Sequence, residues 1–306
     1  MSKSMVLSGP MSALRSRFGD REAIRRMAKA GFDAVDYTFN EMVSDDCVWN
    51  TPRWEEYGKE LLTLARDQGV FFNQAHAPFI FHTSYLPDWN REILPMQIRC
   101  MEACALLGIP HMVVHPVHHL PYHHRGAPGK SNADIIWDLN REYYHLLQPY
   151  AKQFGVKMCL ENMFGEDQRR GCLVPDMFSD PHEYAQFFDG LSEPDSFPCC
   201  IDTGHDGITG EDCGDTIRVM GSRVRALHLN DNDFRTDGHL IPFQGKIDWD
   251  DVMRALAEID YQGDFTFEAL HLYEGMDDGF YATSAKYLHD VGRYLIQKFQ
   301  HYKEAL

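Results

Sequence analysis

Long apolar runs, paired cysteine motifs and an excess of basic residues are all missing from this chain of 306 residues. No run approaches the roughly 18 apolar residues that span a bilayer, so we expect no membrane association. The N-terminal residues show no charged, apolar and small-residue leader, which predicts a cytoplasmic protein. None of the eight cysteines forms a C-x-x-C pair. We therefore expect buried free thiols, and neither a disulfide framework nor a thiolate zinc site.

Basic charge is scarce, because 29 Lys and Arg residues face 46 Asp and Glu residues and give a formal net charge of −17. A negative field repels DNA, RNA and anionic membranes, so nucleic acid is not an expected partner. A dinucleotide-type G-x-G-x-x-G is also missing after the first apolar stretch, which disfavours a doubly wound sheet. The hydrophobic share of 44% is ample for a large core. Since no linker or low-complexity segment interrupts the chain, we expect a single domain over residues 1–306.

Short apolar stretches rich in β-branched residues alternate with longer helix-like segments. Eight predicted strands are each followed by a predicted helix, which implies parallel pairing with right-handed crossovers. Eight such units in about 300 residues predict a (β/α)8 TIM barrel of the α/β class. The predicted strands are 4–10, 32–39, 70–79, 111–117, 156–163, 199–205, 224–231 and 264–270, and the predicted helices are 20–30, 54–68, 88–107, 132–154, 181–188, 215–220, 249–259 and 283–300.

Carboxylate or imidazole side chains occur at the ends of six consecutive predicted strands. In a barrel, the carboxyl ends of the strands meet in one ring, where barrel enzymes place their active sites. Each residue alone has a simpler explanation, since an aspartate there could cap a helix and a glutamate could pair with an arginine. A shared site explains the six together better than six separate roles. They are His76, His115, Glu161, Asp202, His228 and Glu268.

Buried carboxylates at these strand ends require a positive counter-charge. Glu161 and Glu268 follow apolar neighbours, and a lone ionised carboxylate there would cost several kcal/mol. No lysine or arginine recurs at the strand ends, so a divalent cation is the natural partner. The mixed nitrogen and oxygen set of Glu161, Asp202, His228 and Glu268 suits Mn, Zn, Co or Mg.

The motifs HAPF, LEN, DTGH, HLND and DGHLIPFQGKIDW together resemble the xylose isomerase-like superfamily of metal-dependent barrels, over about residues 6–295. This superfamily includes ketose 3-epimerases, inosose dehydratases and isomerases, and type IV apurinic endonucleases. The resemblance implies a metal tetrad of Glu161, Asp202, His228 and Glu268. It also implies that Glu161 and Glu268 transfer protons on opposite faces of a substrate carbon, with the metal ion stabilising an enediolate.

The resemblance implies further contacts with a small polyhydroxylated substrate. His205 resembles the substrate-binding histidine of the epimerases, and Glu166 and Arg235 lie near the places of their other substrate contacts. We expect His76 and His115 near the metal, as ligands of a second site or as substrate contacts. The superfamily often forms dimers or tetramers, so a homo-oligomer is left open.

The endonucleases supply an alternative, because they bind three zinc ions through nine ligands. His76, His115, His205, Asp237 and His239 would then be additional metal ligands in this chain. The net charge of −17 and the lack of basic, aromatic-tipped loops disfavour DNA binding. An inosose dehydratase-like lyase is a further alternative. We therefore predict a divalent-metal-dependent sugar, sugar phosphate or inosose isomerase or epimerase.

Three neighbouring features receive simpler interpretations. The histidine-rich stretch 118–124 reads as surface or lid material, and Trp249 as a helix start that packs on the barrel. Phe243 stands where the superfamily usually has a glycine.

Overall fold

The computed structural model describes residues 5–79, 93–118, 120–122 and 129–306. Within these ranges, eight parallel strands lie side by side in one sheet, in the order in which they follow each other in the chain, with the last strand beside the first. A parallel bridge between Leu229 and Phe267 joins the two ends of this sheet into a barrel, as predicted. The strands are β1 (Leu7–Pro10), β2 (Ala34–Thr38), β3 (Phe71–His76), β4 (His111–Val113), β5 (Lys157–Glu161), β8 (Cys199–Asp202), β9 (Val224–His228) and β10 (Phe265–Thr266).

Helices cover the outside of the barrel and alternate with the strands. The amphipathic helix predicted over 20–30 is present at Asp20–Ala30 and ends at Gly31. Gly31 has a φ of 103°, a left-handed conformation that glycine adopts without steric cost. In the described ranges the helices are α1 (Ser12–Phe18), α2 (Asp20–Ala30), α3 (Trp54–Gln68), α4 (Leu94–Leu107), α5 (Asn132–Phe154), α6 (Pro181–Asp189), α7 (Thr203–Thr209), α8 (Cys213–Met220), α9 (Trp249–Glu258) and α10 (Tyr281–Ala305).

The main apolar core lies between the barrel and its helices, and a small second core fills the inside of the barrel. The inner core consists of Val113, Cys159, Cys200 and Ala226. These short side chains leave room above them for the larger polar residues at the strand ends. All eight cysteines are free, and seven are buried, as the absence of paired motifs predicts. None of the described helices combines the length and apolarity needed to cross a membrane.

The structure differs from the sequence prediction in the segments that follow β1, β5 and β8. An antiparallel hairpin, β6 (Phe164–Asp167) with β7 (Cys172–Pro175), follows β5 where we expected a loop. Short helices α1 and α7 directly follow β1 and β8 and were not predicted. The predicted helix 88–107 is described from Leu94, and residues 88–92 lie outside the described ranges. Part of the histidine-rich stretch 118–124, at residues 119, 123 and 124, also lies outside them.

Gly292 allows α10 to pack closely against the seam of the barrel. A β-carbon at this position would lie 2.5 Å from Leu7 Cδ1 and 2.6 Å from Phe267 Cε2. We predict that Gly292→Val lowers the free energy of unfolding by roughly 1–3 kcal/mol, because the added methyl groups overpack this contact. Urea denaturation followed by circular dichroism measures the change. Ala282→Val on the exposed side of the same helix is the control and should change stability far less; equal effects would contradict the packing argument.

Candidate metal centre

Six polar side chains meet at the carboxyl end of the barrel. His76, Glu161, Asp202 and His228 are the last residues of β3, β5, β8 and β9. His115 follows β4 by two residues and Glu268 follows β10 by two residues, which places them in the same ring. Asp237 and His239 join this end of the barrel from the loop after β9, because His239 Nδ1 lies 2.8 Å from the carbonyl oxygen of Glu268.

The central group contains the four residues predicted as the metal tetrad. One ligand atom from each of Glu161, Asp202, His228 and Glu268 lies within 4.8 Å of the others. His228 Nδ1 is 2.6 Å from Glu161 Oε1 and 3.3 Å from Glu268 Oε2. Glu161, Asp202 and His228 are completely buried, and the Glu268 side chain is 12% exposed. Three carboxylates thus crowd one dehydrated space.

Two further groups adjoin the central one. His76 and His115 approach Glu161 from the side of β3 and β4, with His115 Nε2 2.7 Å and His76 Nε2 3.6 Å from Glu161 Oε2. On the other side, His239 Nε2 lies 3.0 Å from Asp237 Oδ2. His205 completes this last group, with its ligand atom within 4.8 Å of both. All nine side chains predicted as metal ligands or additional metal ligands therefore lie in three adjoining groups.

Backbone carbonyl groups fix the orientation of three of these histidines. Nδ1 of His76 lies 2.6 Å from the Ala77 oxygen, Nδ1 of His205 lies 2.7 Å from the Asn162 oxygen, and Nδ1 of His239 has the Glu268 oxygen as partner. Because a carbonyl oxygen only accepts hydrogen bonds, each Nδ1 carries a hydrogen. In the neutral ring the lone pair is then on Nε2, directed into the groups described above. This arrangement fits divalent metal ions, whose histidine ligands are held in this way.

The two glutamates experience opposite electrostatic environments. Burial opposes ionisation of Glu161, but the charge on His228 and hydrogen bonds from His115 and His228 outweigh it and hold the pKa of Glu161 well below its usual range. Burial raises the pKa of Glu268 well above its usual range, and the neighbouring carboxylates of Glu161 and Asp202 act in the same direction against the imidazoles of His228 and His239. Without a metal ion, these opposite shifts favour ionisation of Glu161 and retention of a proton by Glu268.

The pKa values of two histidines, His115 and His239, are also shifted in opposite directions. Burial lowers the pKa of His115 to about 3, so this ring is neutral. Burial also opposes the charge on His239, but the hydrogen bond with Asp237 outweighs it and raises the pKa of His239 to about 10. Protons therefore occupy places in these groups that metal ions would take when they bind, and metal binding should release protons.

A backbone N–H group and two asparagine side chains hold Asp202 in place, and the sequence analysis did not predict these contacts. Asp202 Oδ1 caps α7 by accepting a hydrogen bond from the His205 N–H at 2.8 Å, and Asp202 Oδ2 accepts one from Asn230 Nδ2 at 2.8 Å. Asn162 Nδ2 donates to the Asp202 carbonyl oxygen and to Asp206 Oδ1. The capping role considered for Asp202 and its place in the metal group therefore coexist. Asn162 in the LEN motif and Asn230 in the HLND motif are the sequence features from which this arrangement could have been predicted.

Asp231 organises the loop that carries Asp237 and His239. Its carboxylate accepts hydrogen bonds from the backbone N–H groups of Phe243 and Ile247 and from Trp249 Nε1. Trp249 begins α9 and is 2% exposed, which confirms its packing role. Phe243 has a φ of 75°, the left-handed region that favours glycine, at the position where the superfamily usually has one.

Two predicted substrate contacts belong to none of the three groups. Glu166 is on β6 of the hairpin and Arg235 is in the loop after β9, and both side chains are exposed. Phe164, on the same strand as Glu166, packs its ring against His205 with a centroid distance of 4.9 Å. The hairpin therefore lies beside the site, and Glu166, two residues from Phe164, shares its side of the strand.

Comparison with known proteins yields one matching family, described as xylose isomerase-like TIM barrel, which covers residues 24–288. An uncharacterized protein of Sinorhizobium fredii is 34% identical over 185 residues, 59% of this chain and 54% of that protein. A probable endonuclease 4 of Methanoculleus marisnigri is 28% identical over 50% of this chain and 55% of its own length. Fructoselysine 3-epimerase of Escherichia coli O157:H7 is 26% identical over 46% of this chain and 48% of its own length. The chain thus matches about half the length of each of these relatives.

Solved structures share the fold over nearly the whole chain. D-psicose 3-epimerase with D-tagatose, from Clostridium cellulolyticum H10, has a TM-score of 0.73 at 17% identity and covers 95% of this chain and 99% of that one. The apo form of 3-keto-D-glucoside 4-epimerase from E. coli has a TM-score of 0.70 at 16% identity over 94% and 99% of the two chains. At these identities the likeness establishes the barrel fold.

Glu161 belongs to two of the three groups described above, whereas Asp237 belongs to one. We predict that Glu161→Gln lowers the number of Co²⁺ ions bound per chain more than Asp237→Asn does, because Glu161 serves more than one group. Equilibrium dialysis followed by elemental analysis measures this number for both variants and the wild type. Equal losses in the two variants, or no loss in Glu161→Gln, would contradict a shared role for Glu161.

Proposed function

Because the chain belongs to the xylose isomerase-like TIM barrel family, we propose that it is a divalent-metal-dependent epimerase or isomerase of a small ketose or a related polyhydroxylated carbonyl compound. The observation that carries this proposal is the pair of glutamates, Glu161 and Glu268, whose ligand atoms lie within 4.8 Å while their pKa values are shifted in opposite directions. The names of the relatives support the substrate class, since fructoselysine 3-epimerase and D-psicose 3-epimerase act on ketoses.

In this proposal Glu161, Asp202, His228 and Glu268 hold the metal ion. When bound, such an ion is a Lewis acid that polarises a carbonyl group and makes the neighbouring C–H bond more acidic. His205 presents Nε2 to the substrate, because its Nδ1 is occupied by the Asn162 oxygen at 2.7 Å. His76 and His115 line the opposite side of the site and would contact the substrate hydroxyl groups or bind a second ion.

Epimerisation removes a proton from one face of a carbon atom and returns a proton to the other face. A group that is already ionised accepts the proton best, and a group that is already protonated supplies one best. The lowered pKa of Glu161 suits the role of base, which we assign to it, and the raised pKa of Glu268 suits the role of acid. The carbon gives its proton to the Glu161 carboxylate and receives one from the Glu268 carboxylic acid. Exchange of protons with solvent then restores the two starting states.

The third ligand group supports a second candidate function, metal-dependent phosphodiester hydrolysis. His205, Asp237 and His239 form a group distinct from the central one, and one relative is a probable endonuclease 4. Several adjacent metal ions are typical of enzymes that cleave phosphodiesters. The net charge of −17 opposes binding to DNA. A nicking assay on a duplex with a single abasic site, at low and moderate salt, tests this alternative directly.

We predict that Glu161→Gln and Glu268→Gln each reduce epimerisation and solvent deuterium incorporation into ketoses by at least about 100-fold, because each removes one proton-transferring group. The measurement is mass spectrometry and NMR of a ketose panel incubated in D₂O with metal-loaded protein. Glu142→Gln, at an exposed position on α5, is the control and should retain full exchange. Undiminished deuterium exchange in the Glu268→Gln variant would contradict the assignment of Glu268 as the acid. Nicking of the abasic duplex without exchange into any ketose would favour the hydrolytic function instead.

A further inference from the structure

Asp36 is a buried carboxylate inside the barrel that no part of the proposed reaction uses. It lies in β2, the strand that precedes β3, and β3 is the first of the six strands with a polar residue at or near its end. The neighbouring residues Val35 and Tyr37 point outward into the core beneath the helices, so alternation along the strand directs Asp36 inward. The residue is 8% exposed, and its Oδ1 atom has no hydrogen-bond partner among the described residues. A buried carboxylate in this condition is costly and calls for a partner.

The group that faces Asp36 is His228. Asp36 Oδ2 lies 3.8 Å from His228 Nε2, and that nitrogen also has no hydrogen-bond partner among the described residues. The Asp36 carboxylate and the His228 imidazole therefore face each other across a gap about 0.9 Å longer than a normal hydrogen bond. A side-chain movement that shortens this distance would form a hydrogen bond between them.

The orientation of the His228 ring explains why a partner at Nε2 matters for metal binding. His76, His205 and His239 each direct Nε2 into a ligand group and have a backbone oxygen on Nδ1. His228 is reversed, since its Nδ1 faces Glu161 and Glu268. To bind a metal ion through Nδ1, the ring must carry its hydrogen on Nε2, and an acceptor at Nε2 would favour that tautomer. Asp36 faces the His228 nitrogen that points away from the ligand group, as a backbone oxygen does in each of the other three histidines.

We propose that Asp36 is a positioning residue that holds the hydrogen of His228 on Nε2, so that Nδ1 binds the metal ion of the central group. This inference rests on the metal site of the proposed function. It goes beyond that function because it assigns a role to a residue that touches neither the ion nor the substrate. Asp36 would also raise the basicity of the ring through its negative charge, which strengthens binding of the cation.

Cys200 is the other group near His228, and it is the weaker candidate. Its sulfur lies within 4.8 Å of a ring nitrogen of His228 and of a Glu161 oxygen. Burial raises the pKa of the Cys200 thiol to about 12, so it is neutral, and a neutral thiol is a weak acceptor. A carboxylate accepts the hydrogen far more strongly.

The test measures metal affinity, which does not require a known substrate. We expect Asp36→Asn to weaken Mn²⁺ binding about 10-fold, because the amide keeps an acceptor oxygen but loses the charge, and Asp36→Leu to weaken it up to about 100-fold. Competition with a fluorescent chelator gives the dissociation constants. Asp20→Asn is the matched control. Asp20 is also buried, but it pairs with Arg15 and Tyr37 on the outside of the barrel, so its loss should leave Mn²⁺ affinity unchanged.

A second measurement addresses the tautomer directly in the wild-type protein. In Zn²⁺-loaded, ¹⁵N-labelled protein, the His228 ring should show a hydrogen on Nε2 that exchanges slowly with solvent, and in Asp36→Asn that hydrogen should exchange faster. A hydrogen on Nδ1 in the loaded wild type would overturn the inference even if the variants do not fold.

The outcomes separate this inference from the proposed function. Wild-type affinity in both Asp36 variants would overturn the role of Asp36 and leave the proposed function intact. Weakened Mn²⁺ binding in the variants, in a protein that epimerises no ketose, would support the role of Asp36 and count against the proposed function. A wild-type protein that binds no divalent ion would overturn both.

Discussion

Repulsion between carboxylates in a dehydrated space is the constraint that organises this end of the barrel. Glu161 and Asp202 are completely buried and Glu268 nearly so, and their oxygens lie within 4.8 Å of each other and of one imidazole. Each uncompensated charge there would cost several kcal/mol. The protein supplies part of the compensation, because the pKa values of His228 and Glu268 are both raised well above their usual ranges, which favours a proton on each. A divalent cation would supply the positive charge that these three carboxylates still lack.

Much of the surrounding structure follows from the need to hold these groups in place. Asn230 and the N-terminus of α7 hold the two oxygens of Asp202. Backbone carbonyl groups hold His76, His205 and His239. Asp231 folds the loop after β9 so that Asp237 and His239 reach the same end of the barrel. The strands give the central group a rigid base, whereas two of the three members of the third group, Asp237 and His239, come from this one loop.

The barrel and its central group were accessible from sequence because both depend on regular patterns. Alternating strands and helices predicted the fold, and six polar residues at strand ends predicted the convergence of His76, Glu161 and the rest. The hairpin β6–β7 was missed because Phe164–Asp167 lacks an apolar alternation long enough to separate a strand from a polar loop. The exposure of Glu166 and Arg235 could not be predicted from the sequence either, since it depends on how individual loops fold.

Asp36 illustrates a different limit. The alternation of Val35, Asp36 and Tyr37 did place a carboxylate on the inner face of β2, but a single acid in an apolar strand predicts no partner. The opposing His228 Nε2 lies 192 residues further along the chain, and only the folded barrel brings the two within 3.8 Å. The roles of the individual site residues remain predictions for the same reason, because proximity constrains chemistry without assigning it.

The most direct test of this account is an anomalous-scattering map from crystals of the protein grown with Mn²⁺. The account predicts a strong peak between the carboxylates of Glu161, Asp202 and Glu268, within bonding distance of His228 Nδ1. A map without such a peak, in a protein whose three carboxylates keep the same positions and are neutralised by protons alone, would contradict it.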